Sequence, residues 1–210
     1  MGARGLIVAR RSVSLVGLAL LTATASVACD TEADDPAARV FTRADVHAIV
    51  LGPDDAPDGT TYVEDASGFH ELDAFARDDA ERGHLVDDGF VIGHVALFLP
   101  PDSANGDTPL TNDSVIVQGI AGLFHDAEGA GSSLERYVED LRSRQVPGAI
   151  DIPADGLGDQ SFGLRGETPD GAEVQIFAWR IENLLLVISG SGRMTPEQVR
   201  GLADVLDGRT

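Results

Sequence analysis

Three runs rich in β-branched and aromatic residues follow one another between residues 161 and 191, in SFGLRGETPDGAEVQIFAWRIENLLLVISGS. Pro169-Asp170-Gly171 separates the first run from the second, and these residue types suit the backbone of a tight turn. Ile181-Glu182-Asn183 is a second short connection. The pattern therefore predicts an antiparallel meander of three strands. Its strands are expected at 161–166, 172–181 and 183–191.

Two more strands are predicted upstream, at 90–99 (FVIGHVALFL) and 114–124 (SVIVQGIAGLF). Gly119 and Gly122 lie inside the second of them, where glycine weakens a strand. We expect these glycines to mark a bulge or a close packing contact with a helix.

Four amphipathic helices are predicted from apolar residues at helical spacing and from start and stop signals. They are expected at 42–52, 67–83, 132–148 and 195–209. Three of them open with a capping box, in which Thr42, Ser132 and Thr195 are the N-caps. The order is two helices, two strands, a helix, three strands and a helix. This segregation predicts an α+β two-layer sandwich, with a mostly antiparallel sheet of about five strands packed by amphipathic helices, as one domain over residues 39–210.

The N-terminus has the pattern of a secretory signal peptide over residues 1–28. Arg4, Arg10 and Arg11 precede an uncharged, largely apolar stretch of seventeen residues at 12–28. A transmembrane anchor is the alternative, but the stretch is shorter than the roughly 20 apolar residues that a span needs.

Ser26-Val27-Ala28-Cys29 resembles the lipobox of bacterial lipoproteins, and Cys29 is the only cysteine in the chain. The resemblance implies that Cys29 receives a diacylglyceryl group and becomes the new N-terminus, which anchors the protein in a membrane. Ser26 departs from the pattern, which usually has a large aliphatic residue there. Alternatively, an ordinary signal peptidase cuts after Ala25 or Ala28 and leaves Cys29 unmodified. Residues 29–38 are expected to form an acidic, flexible tether.

A second resemblance covers residues 155–208. The segments GLGDQSFGLRG (156–166) and VQIFAWRIENLLLVISGSG (174–192), with the final helix, look like the C-terminal half of actinobacterial sensor-type lipoproteins of PsbP-like or Mog1-like fold. The resemblance implies a fold and a ligand-binding or sensory role. It carries no functional residue to this chain.

The charge of the chain excludes nucleic acid as a partner. The sequence has 15 basic residues, all arginine, against 35 acidic ones, for a net charge of −20. Removal of residues 1–28 leaves twelve arginines and all 35 acids, or −23. Such a field repels nucleic acid and anionic lipid headgroups.

The sequence contains no catalytic or metal-binding motif. No two of the histidines at 47, 70, 84, 94 and 125 have the spacing that places two zinc ligands on one helical face. The acidic clusters at 54–59, 78–81 and 87–89 lack the register of an EF-hand, although weak calcium binding at 54–59 stays open. The glycines of 155–163 match no phosphate-binding loop, and Ser189 and Ser191 lack the neighbours of a nucleophile elbow. We expect no catalytic residue, no metal and no cofactor.

The predicted function is that of a membrane-anchored extracytoplasmic lipoprotein with a non-enzymatic binding or sensory domain. Its partners would be the membrane, through Cys29, and an unknown protein or small ligand. Two alternatives stay open: a secreted carrier with an apolar ligand between sheet and helices, and a hydrolase that uses His94 or His125. Trp179 is expected in the core or lining such a pocket.

Overall fold

The computed structural model describes residues 39–210, which build an eight-stranded, antiparallel sheet with helices on both faces. The strands are β1 Thr61–Tyr62, β2 Gly68–His70, β3 Phe90–Leu99, β4 Ile116–Phe124, β5 Ile150–Ile152, β6 Gln160–Glu167, β7 Glu173–Ile181 and β8 Leu184–Ser191. The helices are α1 Arg43–Ile49, α2 Leu72–Phe75, α3 Asp79–Asp87, α4 Pro101–Ala104, α5 Ala127–Asp140 and α6 Pro196–Asp207. None of the helices in this range is long and apolar enough to cross a membrane.

The predicted meander is confirmed. Strands β6, β7 and β8 pair in sequence order, and β8 also pairs with β4, which pairs with β3. The order across the sheet is β1-β3-β4-β8-β7-β6-β5, and β2 pairs with β3 beside β1. The α+β class with an antiparallel sheet is therefore confirmed, with eight strands rather than about five. The three strands that sequence patterns missed have two or three residues each, too few for an alternating pattern to register.

Helices cover both faces of the sheet, so the expected two layers become three over its centre. Helices α1 and α6 pack on one face, where the core includes Trp179, as expected, and Ile188. Helix α5 packs on the opposite face with Leu185 and Val187. Strands β7 and β8 have nearly continuous buried runs, because both of their faces lie against helices.

The predicted helix at 67–83 is wrong. Gly68–His70 is strand β2 instead, and Phe69 pairs with His94 of β3. Helix α2 follows, and α3 begins only after its N-cap Asp78, whose side chain accepts a hydrogen bond from the backbone N–H of Glu81. Pairing with the edge of the sheet thus overrides the helical spacing of the apolar residues. The partner strand is distant in the sequence, so the local pattern does not predict this pairing.

The other predicted helices form, with one correction. Thr42 and Thr195 are N-caps with complete capping boxes. Helix α5, however, begins at Ala127 with Asp126 as its N-cap, so the predicted start at Ser132 is wrong. The Asp126 side chain accepts a hydrogen bond of 2.8 Å from the backbone N–H of Gly129, and a Cβ at Gly129 would lie 1.9 Å from the carbonyl oxygen of Asp88. Glycine disfavours a helix, but the absence of a Cβ at Gly129 allows α5 to approach α3.

Gly119 and Gly122 lie in regular pairing with both neighbouring strands. The irregularity in this part of the sheet falls between Phe90 and Ile92 of β3. Gly119 instead meets Leu51, whose Cδ1 atom would lie 3.5 Å from an added Cβ. Neither expectation for these glycines holds as stated: Gly119 packs against Leu51, which lies just beyond the C-terminal end of α1 rather than in a helix.

Asn183 fixes the beginning of the described chain to the sheet. Its side-chain oxygen accepts a hydrogen bond of 2.8 Å from the backbone N–H of Phe41, and its amide nitrogen donates to the carbonyl oxygens of Phe41 and Phe124. The side chain is buried, so these bonds compensate its desolvation. The signal peptide, tether and lipobox expected at residues 1–38 lie outside the described residues.

Gly93 is required for the docking of α2. A Cβ at this position would lie 2.1 Å from Cδ2 of Phe75, whose ring packs directly on the strand and stacks on Phe90. We expect Gly93→Ala to destabilise the fold by roughly 1–3 kcal/mol in urea unfolding, because the Phe75 ring must move.

Gly83→Ala is the matched control, since Gly83 is in α3 and nothing lies within 4 Å of an added Cβ. We expect this change to leave stability unchanged or to raise it by up to about 1 kcal/mol, because alanine is the better helix former. Equal effects of the two substitutions would contradict the contact between Gly93 and Phe75.

Candidate functional site

A cavity of about 410 Å³ lies between the sheet and the helices α2, α3 and α5. Its volume is in the range of small-molecule binding sites. The α5 helix covers β7 and β8 on this face, and the shorter α2 and α3 cover β3. The cavity is the space left between α5 on one side and α2 and α3 on the other. It is the candidate ligand site of this fold.

The floor of the cavity is apolar. It is formed by side chains of three neighbouring strands: Val95 of β3, Ile120 of β4, and Leu185 and Val187 of β8. Leu185 and Val187 are buried, whereas Val95 and Ile120 are half-buried, so part of their surface faces the open volume. A ligand that covers this floor gains about 25 cal/mol for each Å² of apolar surface removed from water.

One wall of the cavity is a stripe on α5. Ser133, Tyr137 and Asp140 recur at spacings of four and three residues, which places them on one side of the helix. The apolar residues Leu134, Val138 and Leu141, each one position further along, turn into the core. The cavity wall therefore runs beside the buried face of the helix.

Four polar side chains that line the cavity have no hydrogen-bond partner among residues 39–210. Gln118, Ser133 and Tyr137 form no side-chain hydrogen bond within this range, and Nε2 of His70 is buried without a partner. Ser133 is buried, whereas Gln118 and Tyr137 are half-buried, and polar groups inside proteins are normally paired with protein, water or ligand. Burial raises the pKa of Tyr137 to about 12, so its hydroxyl stays neutral and both donates and accepts.

An ion-pair network lies at the cavity between α3 and α5. Arg77 donates to Glu81 through Nε and Nη2, each at 2.9 Å, and to Asp140 through Nη1 at 2.8 Å. Arg144 also pairs with Asp140, and Nε2 of Gln145 donates to the same carboxylate at 2.6 Å. The network joins the segment that leads into α3 to the end of α5.

The network determines the charge of its central carboxylate. Burial opposes ionisation of Asp140, but hydrogen bonds from Gln145, Arg77 and Arg144 outweigh it and lower the pKa of the carboxyl. Hydrogen bonds to Glu81 and then to Asp140 raise the pKa of Arg77. A second pair, Asp88 with Arg136, lies among the lining residues nearer the N-terminus of α5. The arginines that line the cavity are therefore paired with carboxylates that also line it.

The hydrolase alternative would use His94 or His125. His94 is buried on the other face of the sheet, with its ring edge-on to Phe69, and its Nδ1 atom has no partner among the described residues. Its pKa is lowered to about 4 by burial, with smaller contributions from His47 and His70. His125 is exposed. Within residues 39–210, neither histidine is hydrogen-bonded to a serine or paired with a carboxylate.

The acidic loops have structural partners. Asp55 forms an ion pair with Arg209 and accepts a hydrogen bond from the backbone N–H of Gly52. Asp78 caps α3. No group of three or more metal-ligating side chains occurs in the described part of the chain. Cys29, the predicted lipidation site, lies outside it.

The cavity residues were missed by sequence patterns. Ser133, Tyr137 and Asp140 carry the only local signal, polar positions beside an apolar helical stripe. Gln118 and Arg77 reach the same cavity from other elements, and their proximity depends on the fold.

The fold resembles that of the extracellular domain of PknH from Mycobacterium tuberculosis, known from a crystal structure. The TM-score is 0.50, the sequences are 10% identical, and the match covers 81% of this chain and 97% of the other. At this identity the likeness establishes a shared fold. Neither a protein-family model nor a curated protein matches the sequence.

We expect Asp140→Asn to destabilise the domain by roughly 1–2 kcal/mol, because the change leaves Arg77 without one of its two carboxylate partners at a side chain that is only 11% exposed. Hydrogen exchange should accelerate in α2 and α3, which the network joins to α5.

Asp73→Asn is the control for this change, since Asp73 pairs with Arg82 but is 80% exposed. Its effect should stay within about 0.5 kcal/mol. If the two variants were equally stable, the Asp140 network would not hold α3 in place.

His94 should make stability depend on pH between about 6.5 and 4. The unfolded chain binds a proton at its ordinary pKa near 6.5, while the folded chain binds it only near pH 4. The contribution of neutral His94 to the free energy of unfolding is therefore fully present above pH 6.5. It falls by up to about 3 kcal/mol as the pH drops to 4.

Urea unfolding of the wild type and of His94→Gln across this range measures the effect. The free energy of unfolding of the variant should change less with pH between pH 6.5 and 4. Both proteins should lose stability together below pH 4, where carboxylates with lowered pKa values, such as Asp140, take up protons. Parallel profiles above pH 4 would show that burial of His94 does not hold its imidazole neutral.

Proposed function

We propose that this protein is a membrane-anchored extracytoplasmic lipoprotein whose domain binds a ligand and performs no catalysis. The cavity between the sheet and helices α2, α3 and α5 carries this proposal, because it combines an apolar floor with polar side chains that have no hydrogen-bond partner within residues 39–210. Such a combination is typical of small-molecule sites. The fold that the domain shares with the extracellular domain of PknH supports a sensory or binding role outside the cytoplasm.

Anchoring through Cys29 is supported by the sequence before the domain. The apolar stretch at 12–28 ends at the only cysteine, and an acidic segment follows. Nine residues separate Cys29 from Arg39, and this segment spans at most about 36 Å. The domain would therefore stay close to the membrane surface.

A second candidate function is supported by the same cavity. A carrier needs space between sheet and helices for an apolar ligand, and the cavity supplies it. A carrier released from the membrane would not need the modification at Cys29, so the location of the mature protein separates the two proposals.

Expression of the full chain in a bacterial host with lipoprotein processing, followed by membrane fractionation and intact mass measurement, tests the anchor. We expect a mature chain that begins at Cys29, carries acyl mass and sediments with membranes. The Cys29→Ser variant should lose the added mass and leave the membrane fraction.

Ser26→Leu is the companion variant, because it restores the residue type that the lipobox usually has at this position. It should leave the product unchanged or raise the processed fraction. A wild-type chain that is released without acyl mass would overturn the anchor and favour the secreted carrier.

A further inference from the structure

Each arginine that lines the cavity is paired with a carboxylate within residues 39–210. All three guanidinium nitrogens of Arg77 donate to Glu81 or Asp140, and Arg144 pairs with Asp140 as well. Arg136 pairs with Asp88. A charged ligand must break one of these pairs or leave its own charge unpaired, and both cost free energy in a partly buried site.

The neutral polar groups, by contrast, are available. Gln118 presents an amide from β4, and Ser133 and Tyr137 present hydroxyls from α5 into the same volume. None of these three side chains is hydrogen-bonded within residues 39–210, and the buried Nε2 atom of His70, which also lines the cavity, has no partner in this range. These groups offer both donors and acceptors, which match hydroxyl and amide functions.

The apolar floor and the neutral polar wall face each other across one cavity. Val95 and Ile120 of the sheet keep part of their surface open to it, opposite the polar stripe of α5. A ligand that is apolar all round would leave Gln118 and Tyr137 unpaired, whereas a wholly polar ligand would leave the floor uncovered. A molecule with one apolar and one polar side satisfies both surfaces.

We propose that this cavity binds an uncharged, amphipathic small molecule, whose ring or aliphatic body lies on the sheet and whose hydroxyl or amide groups bond to Gln118, Ser133 and Tyr137. The inference rests on the proposed binding function and names its ligand class. Recognition takes place through neutral hydrogen bonds and burial of apolar surface, so affinity should depend weakly on salt.

A matched set of probes tests the ligand class. The probes are 2-(2-naphthyl)ethanol, 2-naphthylacetate and 2-(2-naphthyl)ethylamine, which share a ring system and differ in charge. The protein is the full chain with Cys29→Ser, so that no acyl chain competes for the cavity. Binding is measured by chemical-shift perturbation up to millimolar concentration. We expect the alcohol to bind at least tenfold more tightly than the acid or the amine.

Two variants connect binding to the residues. Tyr137→Phe should weaken binding of the alcohol about tenfold, and Ile120→Trp, which fills the cavity, should abolish binding of every probe. Tyr62→Phe is the control on the opposite face of the sheet, where Tyr62 packs against Phe98, and it should have no effect. Circular dichroism of each variant verifies that the fold is kept.

The outcomes separate the ligand class from the binding function. Equal or tighter binding of the acid or the amine, lost in Ile120→Trp, would overturn the neutral ligand class and leave the cavity as a binding site. An alcohol that binds Tyr137→Phe as well as wild type would overturn the hydrogen-bonding role. No binding of any probe, or binding that survives Ile120→Trp, would overturn the proposed binding function together with the ligand class.

Discussion

Burial of β7 and β8 on both faces is the constraint on which the rest of this structure depends. Both strands are nearly continuous apolar runs, so each of their faces must be covered. Helix α6 meets this need on the Trp179 face, and α5 meets it on the other. The three-layered centre of the domain follows from these two strands, and further out in the sheet the short helices α2 and α3 pack on β3.

The cavity is a consequence of this covering. One long helix, α5, lies over β7 and β8 but does not reach across the whole face, and the short helices α2 and α3 cover β3. Phe75 can dock on the sheet only because position 93 is glycine. The ion pairs around Asp140 then hold α3 against the end of α5, which gives the space between them a charged boundary and an apolar floor.

Electrostatics divides the domain into an acidic exterior and a balanced cavity. The chain carries a large excess of acidic residues, yet each arginine at the cavity has a carboxylate partner there. Hydrogen bonds keep Asp140 ionised in spite of its burial, and the buried Tyr137 keeps its proton. The amide of Gln118 and the hydroxyls of Ser133 and Tyr137 then leave neutral donors and acceptors at the cavity.

Local signals in the sequence were sufficient for the meander, for β3 and β4, and for helices α1 and α6. A turn such as Pro169-Asp170-Gly171, or a capping box such as that of Thr195, depends on interactions among a few neighbouring residues. The local sequence is therefore enough to predict it. Tertiary contacts determined the rest. Phe69 leaves a helical pattern because β3 offers a strand partner, and α5 begins at Ala127 because Gly129 can lie against Asp88. The cavity is the clearest case: Arg77, Gln118 and Tyr137 come from three elements far apart in the chain, and only the packing of α3 and α5 on the sheet brings their side chains to one volume.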